Sequence, residues 1–152
     1  LMARGGPAFV VDPLATSTGT DVVGEALAWA TLRLGEQPVL VYSSAGPDTV
    51  RGVQRQLGAG EAGAMVERTL AAIARGLVER GVGELVGGGG GTSGAAVQAV
   101  GVQQMRIGPQ IDPGVPWCHA EATACGRGVH LALKSGNFGT ADFFTKAFAR
   151  HA

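Results

Sequence analysis

The sequence predicts an α/β fold, a largely parallel sheet flanked by helices. Short apolar runs rich in β-formers alternate with stretches of helical period. Glycine loops follow several of those runs at their C-terminal ends, and 45% of the 152 residues are hydrophobic, enough for one core.

Residues 8–11 form the first apolar run, and Asp12-Pro13 turns the chain. Thr20 is expected to cap a helix over 21–34 that stops at Gly35. Residues 38–42, Pro-Val-Leu-Val-Tyr, read as a buried strand, with 43–47 as the loop that leaves it. A long helix is predicted over 61–80, because Val66, Leu70, Ile73 and Leu77 form one stripe, and Gly81 ends it. A strand over 82–86 leads into Gly87 to Gly91 and then a helix over 95–100. Residues 102–107 read as a strand and 108–117, with three prolines, as an irregular loop. A last strand over 130–134 is followed by a glycine loop at 135–139 and a helix that Thr140 caps, running to about 150. No internal repeat or linker divides the chain, so 1–152 is expected to be one domain.

The formal net charge is zero, which gives no electrostatic footprint for nucleic acid or an anionic membrane. No apolar run is long enough to span a bilayer. The first residues lack the pattern of a signal peptide and do not begin with methionine, so the chain reads as entered midway. A cytoplasmic placement is the simplest expectation. Cys118 and Cys125 flank His119 and Glu121, but a zinc site needs about four ligands in closer pairs. Ordinary thiols are the expected state. Lys134 and Lys146 are the only lysines.

The chemistry concentrates at the glycine loops. The run Gly87 to Gly91 leaves a strand and enters a helix, followed by Thr92-Ser93-Gly94. Glycine lets the backbone N–H groups face one point, and the helix N-terminus adds partial positive charge, so the segment reads as a phosphate cradle. The competing reading is a plain surface loop. The run is not a Walker A loop, since no Lys-Ser or Lys-Thr follows it. Gly89, Gly91 and Gly94 satisfy G-x-G-x-x-G, but the next expected strand ends Arg106-Ile107-Gly108-Pro109, without the acid that holds a dinucleotide ribose. An NAD-dependent enzyme is therefore the weaker alternative.

The second loop, Lys134-Ser135-Gly136-Asn137-Phe138-Gly139, repeats the logic: Lys134 can neutralise phosphate, Gly136 permits close approach and Asn137 can donate to a ligand. The plain alternative is a turn before a capped helix. Trp117 can cover an adenine ring or plug the core edge. Asp112 can help hold Mg²⁺ or simply form a turn.

Together, Gly-Gly-x-Thr-Ser-Gly at 89–94, Ile-Gly-Pro-Gln-Ile-Asp-Pro-Gly-Val-Pro-Trp at 107–117, and Leu-Lys-Ser-Gly-Asn-Phe-Gly at 133–139 with Asp142-Phe143-Phe144 resemble the four-carbon acid sugar kinases. That family includes 3-oxo-tetronate, threonate and erythronate kinases, and the resemblance covers essentially the whole chain. It implies a two-domain enzyme whose N-terminal, sugar-acid-binding domain is absent here and whose C-terminal domain binds ATP. A Gly-Ser-Cys-Ser-like segment that helps bind ATP in the family would lie upstream of Leu1. The implied reaction moves the ATP γ-phosphoryl to the terminal hydroxyl of a four-carbon sugar acid, with Mg²⁺ on the phosphates. Gly90, Gly91, Thr92 and Ser93 would line the phosphates, with Gly136 and Asn137 on the other wall. The catalytic base would lie in the absent domain, so the isolated chain is expected to be inactive. A homo-oligomer is compatible with the resemblance. One departure is local: the family usually has Glu or Asp where this chain has Gly91. The alternative from another class is an orphan, non-catalytic nucleotide-binding module.

Overall fold

The computed structural model describes residues 6–35, 37–44, 47–136 and 138–149. Its elements run β1 (Ala8–Val11), α1 (Pro13–Ser17), α2 (Val22–Thr31), β2 (Leu40–Ser43), α3 (Pro47–Leu57), α4 (Ala59–Glu79), β3 (Glu84–Gly88), α5 (Gly90–Val100), β4 (Arg106–Asp112), β5 (Val115–Ala122), β6 (Arg127–Lys134) and α6 (Phe143–Ala149). The fold is α/β, as expected, but the strands are partly rather than largely parallel. β1 and β2 form a parallel pair, and a second sheet has the order β3-β6-β5-β4. Only β3 and β6 are parallel within it; β4, β5 and β6 run antiparallel.

The antiparallel part comes from the segment expected as a proline loop. Pro113-Gly114 is a two-residue turn between Asp112 and Val115, which pair across it, and Gly114 takes φ +79°, a glycine position. Pro109 falls in a register shift on the edge strand β4, where a missing N–H costs little. Thus the strand expected at 102–107 begins later, at Arg106, and β5 was hidden behind its prolines.

Elsewhere the differences are local. Asp12 caps the short α1 with Pro13 in its first turn, where a turn was expected. Asp21, not Thr20, caps α2, accepting from the Gly24 N–H at 3.0 Å. α3 was not expected at all. Thr140 does not begin α6 either; its hydroxyl lies between Asp112 and Asp142.

Three apolar clusters hold the layers. Ile73 and Leu77 of the predicted α4 stripe pack with Val11, Leu27 and Ala30, fixing α2 and β1 against α4. Val78 and Val100 cover Ala120, Val129 and Leu131 on one face of the larger sheet. On its other face α6 places Phe143 and Ala147 over Ile111, Val115, Trp117 and Ala132. The second and third clusters leave β3 and β6 between helical layers, which positions the loops at their ends.

Candidate phosphate-binding site

β3 and β6 pair in parallel with Glu84 opposite His130 and Gly88 opposite Lys134. Both glycine loops therefore leave neighbouring strands at the same edge, and the Gly89 N–H donates to the Lys134 carbonyl at 2.8 Å. This is the C-terminal rim where ligands of α/β sheets gather.

Gly89 is the N-cap of α5, at φ +98°. The helix thus begins inside the glycine run rather than after it. No side chain caps it, so the first-turn N–H groups, at Gly90, Gly91 and Thr92, lack intrahelical acceptors at the positive end of the helix. Gly90 and Gly91 are exposed and Thr92 is half-buried. Ser93 is 7% exposed, and its hydroxyl has no partner among the described residues. That oxygen lies 3.1 Å from where a β-carbon on Gly87 would be, so it faces β3.

Across the rim, Gly136 is exposed, and Asn137 lies outside the described residues. Lys134 curls over its own loop, its Nζ donating to the carbonyls of Ser135 and Gly136 at 3.2 Å each. Among the described residues it forms no salt bridge, which leaves its charge available to an anion. Among the described residues, the ends of β3 and β6 set Gly89, Lys134 and Gly136 along one rim.

Two other candidates have structural work. Trp117 is 2% exposed, its indole N–H donates to the Ala147 carbonyl at 3.2 Å, and its ring meets Phe148 edge-on. It plugs the core. Asp112, 4% exposed, pairs with Lys146 and accepts from the Thr140 N–H at 3.0 Å. Lys146 foremost, then Thr140, holds its carboxyl below the usual range. Cys118 and Cys125 are free thiols, and burial pushes the Cys118 thiol up. No group of three or more His, Cys, Asp or Glu side chains is placed for a metal among the described residues.

Sequence reasoning missed Glu67. It lies on the polar side of α4, off the apolar stripe, yet its carboxylate reaches Gly91. No local motif links them; only the packing of α4 on α5 does.

Residues 2–144 match the family model described as the nucleotide-binding C-terminal domain. The chain is 57% identical over 141 residues to a 3-oxo-tetronate kinase of Burkholderia multivorans, covering 93% of this chain and 32% of that protein. It is 51% identical over 146 residues to the Pseudomonas fluorescens 3-oxo-tetronate kinase, covering 96% and 33%. It thus spans about a third of the length of the curated relatives it matches. A crystal structure of a Haemophilus influenzae protein superposes with a TM-score of 0.86 at 34% identity, over 99% of this chain and 36% of that one. No helix among the described residues is long and apolar enough to cross a membrane. With the family model matched over nearly its whole length, and with the glycine-loop rim in place, the chain belongs to the nucleotide-binding C-terminal domain family.

Proposed function

We propose that this chain is the ATP-binding domain of a kinase that phosphorylates a four-carbon sugar acid, such as 3-oxo-tetronate, on its terminal hydroxyl. The observation that carries the reading is the shared rim: an uncapped α5 N-terminus and the Lys134 loop, side by side at the ends of β3 and β6. Phosphoryl transfer needs chiefly positioning and charge neutralisation, and this rim offers N–H donors, a hydroxyl and an ammonium. The names of the relatives supply the sugar acid.

In this reading Gly90, Gly91 and Thr92 donate to phosphate oxygens, and Lys134 offsets their charge. Gly136 and Asn137 close the opposite wall. Ser93 supports the turn from below, its hydroxyl being buried against β3. Mg²⁺ bound with ATP would neutralise phosphate charge. Asp112 is committed to Lys146 and Thr140, which leaves Glu67, beside Gly91, as the carboxylate to hold the ion, directly or through water. The sugar acid and the base acting on its hydroxyl belong to the part of the enzyme outside this chain.

The dinucleotide alternative is weaker on the fold. α5 leads to β4 at the far edge of the sheet, not to a parallel neighbour of β3, so the βαβ unit of such sites is not built there. Calorimetric titration of the chain with MgATP, MgADP and NAD tests the reading. Adenosine di- or triphosphate should bind more tightly than NAD; the reverse order would overturn it. Turnover of 3-oxo-tetronate, threonate or erythronate by the 152-residue chain alone would contradict the assignment of the substrate site to another domain.

A further inference from the structure

One apolar row of the larger sheet does not stay inside. Leu85, Leu131, Cys118 and Ile107 stand opposite one another across β3, β6, β5 and β4. Leu131 is fully buried, Leu85 and Cys118 are half-buried, and Ile107, on the edge strand, is 76% exposed. Met105 beside it is 42% exposed. Next to this apolar knob lies a hollow of about 900 Å³, whose lining includes Gln103, Gln104, Arg106, His119, Glu121 and Thr123. Arg106 stands opposite His119, so it shares a sheet face with Glu121, two residues further along β5. Both are exposed, and neither forms a salt bridge among the described residues.

We propose that this edge is the contact between two copies of the chain related by a two-fold axis. The patch carries its own complements: a cation and an anion without salt bridges, a knob and a hollow. A two-fold brings each to its opposite, Arg106 of one copy to Glu121 of the other, and Ile107 of one copy to the hollow of the other. A foreign partner has no need of a patch that matches itself.

Residues 103–110 are exposed without a break. At about 3.4 Å per residue they span roughly 27 Å, the width of a standard interface patch of about 800 Å². The contact is made by side chains rather than by an extended ladder. Pro109 has no N–H, and the register of β4 shifts beyond Ile107, which blunts the edge against strand pairing. β4 runs parallel to β6, since each is antiparallel to β5, so its first residues lie at the pole away from Gly88 and Lys134. The contact therefore leaves the glycine-loop rim open, and it does not rest on the phosphate reading.

Sedimentation velocity near neutral pH, on the protein at its full natural length, tests it. A dimer is expected, in equilibrium with monomer as concentration falls. Arg106→Glu or Glu121→Arg alone should weaken the dimer at least ~10-fold, because like charges then meet, and the two together should restore it to within about threefold of the parent. Ile107→Lys should also weaken it at least ~10-fold. All three side chains are exposed, so circular dichroism should show the parent fold in each variant. A monomer at every concentration, a dimer that survives any one of the single changes, or a charge-swapped pair no tighter than the single reversals would overturn the proposal. Should a variant fail to fold, hydrogen exchange on the unaltered protein decides: the amides of 103–108 should slow as the dimer forms, and exchange that is independent of concentration overturns it.

Discussion

The carboxylate of Glu67, on α4, occupies the space that a β-carbon on Gly91, in the first turn of α5, would fill. Gly91 does not have a left-handed φ, so the backbone there accepts any residue. The obstacle is the carboxylate alone, and a flexible side chain can swing away. Glycine within a helix costs roughly 0.5–1 kcal/mol against other residues, and an acid near the N-terminus is favoured. Gly91→Glu should therefore stabilise the fold by about 0.5–1 kcal/mol when Glu67 is also replaced by alanine. With Glu67 present, crowding and like charge should cancel or reverse that gain. A urea-denaturation double-mutant cycle checks this; equal effects of Gly91→Glu in both backgrounds would refute the contact. On the proposed function, Glu67→Gln in the full enzyme should weaken MgATP binding by roughly tenfold and leave binding in EDTA unchanged.

That pair also shows what the sequence could not reveal. The glycine loop was legible because strand, glycines and helix are consecutive, and so was Lys134 at the next strand end. The α4 stripe was legible because its period is local. Glu67 against Gly91 depends on how two helices cross, which no local pattern encodes. β5 was masked by Pro113 and Pro116, since proline argues against a strand until the register shift and the tight turn at Gly114 are seen. The absorption of Asp112 by Lys146 joins the end of β4 to a helix far along the chain. The parallel reading of the sheet failed at the same place, because a hairpin stood where a loop was expected.

Trp117 sets the stability of the α6 face. It is buried among Ile111, Val115, Phe143 and Ala147, and its N–H satisfies a carbonyl near the C-terminus of α6. Trp117→Ala should cost about 3–5 kcal/mol, and Trp117→Phe about 1–3 kcal/mol, from the lost volume and hydrogen bond. Urea unfolding followed by circular dichroism measures both. If Trp117→Ala changed nucleotide affinity while stability held, the ring would belong to the ligand site instead.

Thr92 and Ser93 are adjacent in sequence but differ in surroundings. Thr92 stands half-buried at the rim, whereas the Ser93 hydroxyl is buried toward Gly87 without a partner among the described residues. Ser93→Ala should be within about 1 kcal/mol of neutral in stability, because it removes an unsatisfied group. Thr92→Val should reduce ATP affinity by about five- to tenfold through loss of one hydrogen bond to a charged phosphate, with Ser93→Ala smaller. Titration of the two variants in the full enzyme checks the order. A larger loss at Ser93 would show that its hydroxyl turns toward the ligand.

Asp112 should govern the acid limb of stability. Its carboxyl is depressed in the folded chain, by the Lys146 hydrogen bond first and the Thr140 N–H next, against an unfolded value of about 3.9. A depressed folded value means the folded state holds its proton less tightly than the unfolded chain. The stabilisation is therefore fully present above the unfolded value and is lost as pH falls through the folded one. Asp112→Asn should be less stable than the parent at neutral pH, and the difference should narrow below about pH 4. Some acid dependence should survive in that variant, because the Asp142 carboxyl is also lowered, chiefly by the Thr140 hydroxyl. Lys146→Met should act differently: it leaves the Asp112 carboxylate buried without its cation, raises its folded value and moves the acid limb to higher pH. Urea midpoints measured from pH 7 to about pH 2.5 separate the three proteins. An Asp112→Asn chain whose stability falls with acid as steeply as the parent's would mean that the pair with Lys146 does not bias the fold, and the limb would then belong to Asp142 and the surface carboxylates.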